Sequence, residues 1–476
     1  MFKIYNTLSK QKEIFKPLQT GKVSLYTCGP TVYDRIHIGN IRAYIIPDVL
    51  RRYLEYLGFE VRQIKNITDV GHLTADDIAQ GDSGEDKIEK KALQEKKTPR
   101  DIAQFYEAYF HKVEKELNIL PAHFFPKATA HVPQMIRIIE KLIEKGFAYE
   151  KNGNVFFDVT KFSNYGKLSG NTLEKLKVGA RLEEHPDKRN SWDFALWLKA
   201  PKEHLMKWES PWSIGYPGWH IECSAMSMEY LGDTLDIHTG GEDNIFPHHE
   251  AEIAQSESFS GKKFVNYWLH VRHLLVNGEK MSKSKGNFYI LENVKDKGYS
   301  PIVLRLAILS SHYRSPMNFT WEVMDQAENN LKRISDFIIN LKNISNESTD
   351  DSFDKEVPKY LKKFEAALDD DLNTPLALSV LYELIAQANK AILQNKIGTK
   401  QAKKIMFVLQ KINKVLGLII DEGLDISETV KKIAEERRQA RANKDFQKSD
   451  ELRDKIAEMG YTIEDLKDNN YLLKKK

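Results

Sequence analysis

Two cysteines, Cys28 and Cys223, are the only thiols in this chain. His248 and Glu252 stand four residues apart in Pro247-His248-His249-Glu250-Ala251-Glu252, a spacing that places both on one face of a helix. Two thiolates, an imidazole and a carboxylate form a chemically suitable ligand set for Zn²⁺. The spacing alone leaves other readings open. No CxxC pair occurs, a lone buried cysteine commonly serves packing, and His and Glu at i, i+4 form ordinary surface pairs. In a reducing compartment a disulfide between the two cysteines is not expected.

Three further segments suit a nucleotide. His37-Ile38-Gly39-Asn40 falls between an expected strand and an expected helix, where a helix N-terminus offers unpaired N–H groups to phosphate. His37 and Asn40 can donate hydrogen bonds to phosphate oxygens, and Gly39 leaves room for a flat base against the backbone. Lys280-Met281-Ser282-Lys283-Ser284, followed by Gly286, brings two ammonium groups and a hydroxyl to a loop after a strand. That composition suits charge building up on a transferring polyphosphate, although a solvated basic turn has the same letters. His238-Thr239-Gly240-Gly241-Glu242-Asp243 also ends an expected strand: Gly240 and Gly241 admit a ribose or adenine close to the backbone, and Asp243 can accept from hydroxyls.

The elements needed to position these loops are legible as patterns. Residues 22–28 are β-rich, 41–58 carry apolar residues at helical spacing with a glycine stop, and 59–68 return to strand, which makes a βαβ unit. Residues 234–238, 247–258 and 265–276 read as strand, helix and strand. The expected fold is α/β, a doubly wound parallel-sheet Rossmann domain. Its two halves are separated by a charged, irregular insertion that is clearly helical only over 133–146. From about residue 301 the pattern is helical, with a polar linker at 343–356 and a helical segment over 359–420.

At 476 residues the chain exceeds one ordinary core, so two to four domains are expected. With 71 basic and 68 acidic residues the net charge is +3, which permits nucleic acid as a partner without demanding it. No run approaches the roughly 18 apolar residues of a membrane span, and no secretory leader is evident. A soluble, cytoplasmic protein without a membrane partner is expected.

The pairing of HIGN with KMSKS, in this order and on these elements, resembles the class I aminoacyl-tRNA synthetases. Residues 27–34 (TCGPTVYD), 218–226 (GWHIECSAM) and 246–255 (FPHHEAEIAQ) narrow the resemblance to the cysteinyl-tRNA synthetase family, over about residues 1–465. The resemblance implies ATP and its Mg²⁺ at His37, Gly39, Asn40, Lys280, Ser282 and Lys283. It implies a zinc ion on Cys28, Cys223, His248 and Glu252, whose further position takes the substrate thiolate, and L-cysteine beside Gly29, Thr68, Trp219 and His248. The first motif more often ends in histidine in that family; Asn40 keeps a donor there.

The same resemblance implies activation of L-cysteine to cysteinyl-adenylate and transfer to the 3′ end of tRNA(Cys) by a monomer with no editing domain. It divides the chain into a Rossmann catalytic domain at 1–310 with its insertion at about 100–215, and a stem-contact region at 311–342. A helical bundle at 343–424 and an anticodon-binding module at 425–476 complete the division. Residues 86–90 (DKIEK) resemble a segment approaching the tRNA acceptor end, which suggests Lys87 and Lys90, after a further insertion at 71–85. Arg437, Arg438, Arg441 and Lys444 cluster on one expected helix, where phosphate contact competes with pairing to neighbouring acids. The terminal tryptophan usual in the family is missing, leaving Tyr471 as a stacking residue. Two other readings stand beside this one. A cysteine ligase acting on an amino sugar in thiol-cofactor synthesis would lack residues such as 425–476, and a non-catalytic RNA-binding paralogue would have lost the zinc or KMSKS residues.

Overall fold

The protein is described from a computed structural model covering residues 1–70, 73–75, 83–171, 185–282, 285–419, 428–465 and 471–475. Lys283 and most of 71–85 lie outside the described residues. At the centre is a four-stranded, all-parallel sheet in the order Val265–Val271, Leu235–Gly241, Lys22–Thr27, Glu60–Lys65. The chain enters at Lys22–Thr27 and winds one way to Glu60–Lys65. The later half starts beside it, at Leu235–Gly241, and winds the other way. Strand order therefore reverses between these two central strands, which opens a crevice at their carboxyl ends. The expected doubly wound fold is the one found.

The signature helix, Ile38–Tyr56, begins where the HIGN residues close a capping box: His37 Nδ1 accepts from the Asn40 N–H at 3.1 Å and Asn40 Oδ1 from the His37 N–H at 3.1 Å. Gly58, at φ +93°, stops it. Its core face (Ile41, Ile45, Val49, Tyr53) packs against the sheet and against the last bundle helix, Thr399–Leu416. One hydrophobic core thereby runs from the sheet into the helices Trp321–Lys342, Ser352–Asp369, Thr374–Leu393 and Thr399–Leu416. The helix Ser352–Asp369 takes up part of the expected 343–356 linker. Thr374–Leu393 is long and apolar enough to cross a membrane by length and composition alone, although polar and charged residues interrupt it. In the fold its apolar face (Ala377, Leu381, Leu384, Ala388) is buried in the bundle.

Between the two halves lies more order than the sequence suggested. Pro99–Glu116 is an 18-residue helix opened by a Thr98–Asp101 capping box with proline in its first turn. An antiparallel sheet in the order Gly215–Pro217, Phe194–Lys199, Asn154–Phe157, Ala148–Lys151 covers a second core. The expected strand over 265–276 is two strands. Val265–Val271 belongs to the central sheet, and Leu274–Val276 pairs with Glu279–Lys280 and Met317–Phe319 in a small separate sheet. At the far end, Glu428–Ala442, Phe446–Glu458 and the hairpin Tyr461–Asp465/Tyr471–Lys475 share their own core of Val430, Ala434, Ile456, Ile463 and Leu473.

A buried ion pair joins the signature helix to its neighbours. Arg305 Nη2 donates to Asp48 at 2.5 Å while its other nitrogens donate to the carbonyls of Leu416 and Leu117. Burial alone would raise the Asp48 pKa, but Arg305, Arg52 and the Leu120 N–H outweigh it and hold the carboxyl below its ordinary range. Its stabilising contribution is therefore present above the ordinary carboxylate range and lost as pH falls below it. Asp48→Asn, which leaves Arg305 buried without a counter-charge, is expected to cost about 3–5 kcal/mol at neutral pH and to flatten the loss of stability on acidification. Thermal unfolding of wild type and variant across pH checks both effects.

Candidate active site

Cys28 follows the central strand Lys22–Thr27 directly, and its N–H donates to the Thr239 carbonyl of the neighbouring strand. Cys223 sits on the helix Trp219–Leu231. His248 and His249 come from a wide turn, Ile245–His249, kinked at Phe246, that leads into the helix Glu250–Ser260 carrying Glu252. These side chains, far apart in sequence, converge at the crevice. The Cys28 and Cys223 sulfurs are 3.8 Å apart, Cys28 Sγ is 3.5 Å from His248 Nε2, and His248 Nε2 is 3.0 Å from Glu252 Oε1.

Ligand atoms of Cys28, His248, His249 and Glu252 all lie within 4.8 Å of one another. His249 was not in the expected set; its Nδ1 is engaged by His270 Nε2 at 2.7 Å, and its Nε2 points 3.8 Å from Glu252 Oε1.

Outer residues orient these donors. His238 Nε2 meets Glu252 Oε2 at 2.9 Å, and His220 Nδ1 meets His248 Nδ1 at 2.9 Å, which directs the Nε2 of His248 inward. The Trp219 ring stacks on His248 at 4.2 Å. None of these histidines was singled out from sequence except His248. The signal was there, since His220 shares the segment of Trp219 and Cys223, and His238 opens the Gly240-Gly241 motif.

The electrostatics suit a cation. Burial would raise Glu252, but His238 and His248 bring it down to about 2, so it is a carboxylate. Burial would lower His248, but Glu252 and Cys223 take it up to about 10. Glu252 Oε1, fully buried, faces His248 Nε2 at 3.0 Å. A buried cluster that grips a proton this firmly between sulfur and carboxylate fits a divalent metal ion with sulfur, nitrogen and oxygen donors.

In front of the cluster is a cavity of about 470 Å³. Its wall includes Cys28 of the cluster together with Gly29, Thr68 and Trp219, and also His37, Gly39, Asn40, Gly241, Asp243 and Lys280. The Gly29 N–H donates to Asn66 Oδ1 at 2.7 Å, and a Cβ on Gly29 would fall 1.7 Å from the Asn66 carbonyl oxygen, so only glycine lets these backbones meet. Because His37 Nδ1 accepts the cap bond, the proton of the neutral ring resides on Nε2. Asn40 uses its oxygen in the same cap, and no bond from its Nδ2 occurs among the described residues.

Gly240 lies one residue behind the wall, where a Cβ would meet the His249 ring at 2.6 Å. Its small size thus serves the histidine packing as well as any ligand. The Ser282 N–H donates to Asn287 Oδ1 at 2.8 Å.

The residues expected to touch nucleic acid are elsewhere. Lys87 lies over the Tyr33 ring beside the cavity mouth, and Lys90 is exposed one turn further on. Arg437 corrects the expectation of an exposed cation: it is 1% exposed and holds Asp465 through two bonds of 2.6 and 3.1 Å, tying its helix to the C-terminal hairpin. Arg438 pairs with Glu435. Arg441 remains part-exposed although it reaches Asp465 at 3.1 Å. Phe446, 62% exposed at the start of the last helix and next to Lys444 and Asp445, was passed over in the sequence.

Comparison with known proteins accords with this geometry. Residues 14–329 match the family described as tRNA synthetases class I (C) catalytic domain, 363–420 the DALR domain, and 424–472 the cysteinyl-tRNA ligase anticodon binding domain. The chain is 43% identical to the cysteine–tRNA ligase of Chlorobaculum tepidum, with 99% of each chain covered. It is 40% identical to that of Thermus thermophilus, with 98% of each covered. Among solved structures it shares its fold with Mycobacterium tuberculosis methionyl-tRNA synthetase bound by methionyl-adenylate, at a TM-score of 0.60, 12% identity and coverage of 86% of this chain and 92% of that one. A ternary complex of Agrobacterium radiobacter K84 LeuRS with tRNA gives a TM-score of 0.61, 11% identity and 85% coverage of both chains. The chain belongs to the cysteine–tRNA ligase family of class I aminoacyl-tRNA synthetases.

Proposed function

We propose that this chain selects L-cysteine with a zinc ion held by Cys28, Cys223, His248 and Glu252, activates it with Mg·ATP, and charges tRNA(Cys). The observation that carries the reading is the meeting of two sulfurs, an imidazole and a carboxylate beside a cavity whose wall Cys28 shares with His37, Gly39, Asn40 and Lys280 of the HIGN and KMSKS segments. Cysteine and serine are nearly the same shape, so pocket size separates them poorly. Zinc, when bound, would hold sulfur as thiolate and leave a protonated serine hydroxyl a poor ligand. Discrimination of 10⁴ corresponds to about 5–6 kcal/mol. Ligand thiols must be reduced for this, which suits the cytoplasm.

The chain's own groups orient the rest. The Gly29 backbone, Thr68 and Trp219 surround the amino acid, and His248 is braced from behind by His220. His37, through Nε2, and Asn40, through its amide, donate to ATP phosphates. Gly240 and Gly241 admit the nucleoside, with Asp243 at the ribose hydroxyls. Lys280 and Lys283 neutralise charge on the departing pyrophosphate and the Ser282 hydroxyl donates a hydrogen bond to it, while the carboxylate attacks an α-phosphate already in line. Residues 424–472, matched to an anticodon binding domain, remove the ground for the amino-sugar reading. Intact signature and metal-ligand residues do the same for a non-catalytic paralogue. Lys87, over the Tyr33 ring of the cavity wall, and the exposed Lys90 one turn further on supply cations for the tRNA 3′ end. Arg441 and Phe446 offer a phosphate contact and a stacking face at the other end.

Cys223→Ser is expected to lose bound zinc and cysteine-dependent pyrophosphate exchange together, exchange falling by on the order of 10³-fold. Metal analysis and exchange on the same sample check this, and a folded variant retaining both contradicts the assignment. Phe446→Ala is expected to raise the KM for tRNA about tenfold while exchange is unaltered. Equal charging kinetics at all tRNA concentrations would remove Phe446 from the interface.

A further inference from the structure

Arg42 lies two residues beyond Asn40 on the signature helix and is fully buried, yet no carboxylate pairs with it among the described residues. Its guanidinium instead reaches four backbone carbonyls: Nη1 donates to Arg272 at 2.7 Å and His273 at 2.9 Å, and Nη2 to His312 at 2.9 Å and Ser315 at 2.7 Å. Burial lowers its pKa to about 10, so it remains charged at neutral pH. A planar fork with four fixed acceptors holds two chain segments at a set distance from the helix that bears it, which a flexible ammonium cannot do.

The segment it holds is the bend of the nucleotide site. Residues 272–273 carry the chain from the central strand Val265–Val271 into Leu274–Val276, the strand that pairs with Glu279–Lys280. From the cavity side the same bend is gripped by Glu242, which accepts the His273 N–H at 2.6 Å, pairs with Arg272 Nε at 2.8 Å and contacts the His273 ring. On the third side the Arg272 N–H donates to Tyr313 and the Met317 N–H to His273.

The two loops touch at the end of this bend: the Met281 side chain reaches the HIGN turn, its Cε 2.9 Å from where a Cβ on Gly39 would sit.

We propose that Arg42 is a positioning residue for adenylate formation: it sets the bend at residues 272–273, and thereby the placement of Lys280 relative to His37 and Asn40, without touching substrate. The inference rests on the reading of these two loops as the ATP-activating pair. It separates Arg42 from the Asp48–Arg305 pair on the same helix, whose role is stability.

The test is pre-steady-state adenylate formation by the full-length zinc-loaded chain at saturating cysteine and Mg·ATP, with active sites counted from the burst amplitude. Arg42→Lys, which keeps the charge but cannot span four carbonyls, is expected to keep the burst amplitude and the cysteine KM within twofold. Its rate per active site is expected to fall about 10²-fold, the size expected for reacting groups displaced by about 1 Å. A rate per site within twofold of wild type, with or without a smaller burst, marks a merely structural arginine and overturns the proposal. Should Arg42→Lys not fold, Glu242→Ala frees the bend from the cavity side. A slowed rate per site at saturating ATP then supports the proposal and an unchanged one overturns it. Absence of any cysteine-dependent burst in wild type overturns the assigned reaction, and with it this inference.

Discussion

Glu252 and His248 sit where the requirements of the whole molecule meet. Their side chains are fully buried, and what makes a buried carboxylate tolerable is the ring of partners around it: His238 on one oxygen, His248 on the other, and the two sulfurs beyond. Each partner comes from a different element. Cys28 ends a central strand, Cys223 lies on the helix leading into the next, His238 is within that strand, and His248 and Glu252 follow it. The cluster can form only if the two halves of the sheet meet with their carboxyl ends level. A fold that places them so also aligns the N-terminus of the signature helix and the Gly240-Gly241 turn along the same rim.

On the proposed reading, selection of the amino acid and activation by ATP draw on differently built parts of one cavity. Beside the cysteine–histidine cluster the packing is close, with Gly29 against the Asn66 backbone and the Trp219 ring stacked on His248. The HIGN and KMSKS residues come from a helix N-terminus and a strand of a separate small sheet, joined through a bend that is tied on three sides. Close packing suits discrimination between two side chains of equal shape. A held bend suits chemistry in which charge must be met at one stage of the reaction.

How much of this could be read from the residues depended on what each residue does. Cysteine, histidine, glycine and lysine at the loops carry chemistry that few substitutes provide, so the residues of the cluster and the signature loops drew attention, as did the βαβ periodicity around them. The antiparallel sheet over residues 148–217 was not read because its strands are three to six residues long, too short for alternation to show. The helix Pro99–Glu116 was missed despite a legible start, Thr98-Pro99-Arg100-Asp101. Arg437 looked like one more cation in a basic run; only the fold reveals Asp465 folding back onto it. Arg42 gave no sign in sequence, because its four partners are backbone carbonyls and leave no trace in side-chain identity.

The most direct test of the central claim is X-ray absorption at the zinc edge on the full-length protein, alone and with saturating cysteine or serine. The expected result is zinc bound by two protein sulfurs, a third sulfur appearing with cysteine, and no change with serine. A sulfur count unaltered by cysteine would contradict selection of the substrate through its thiolate.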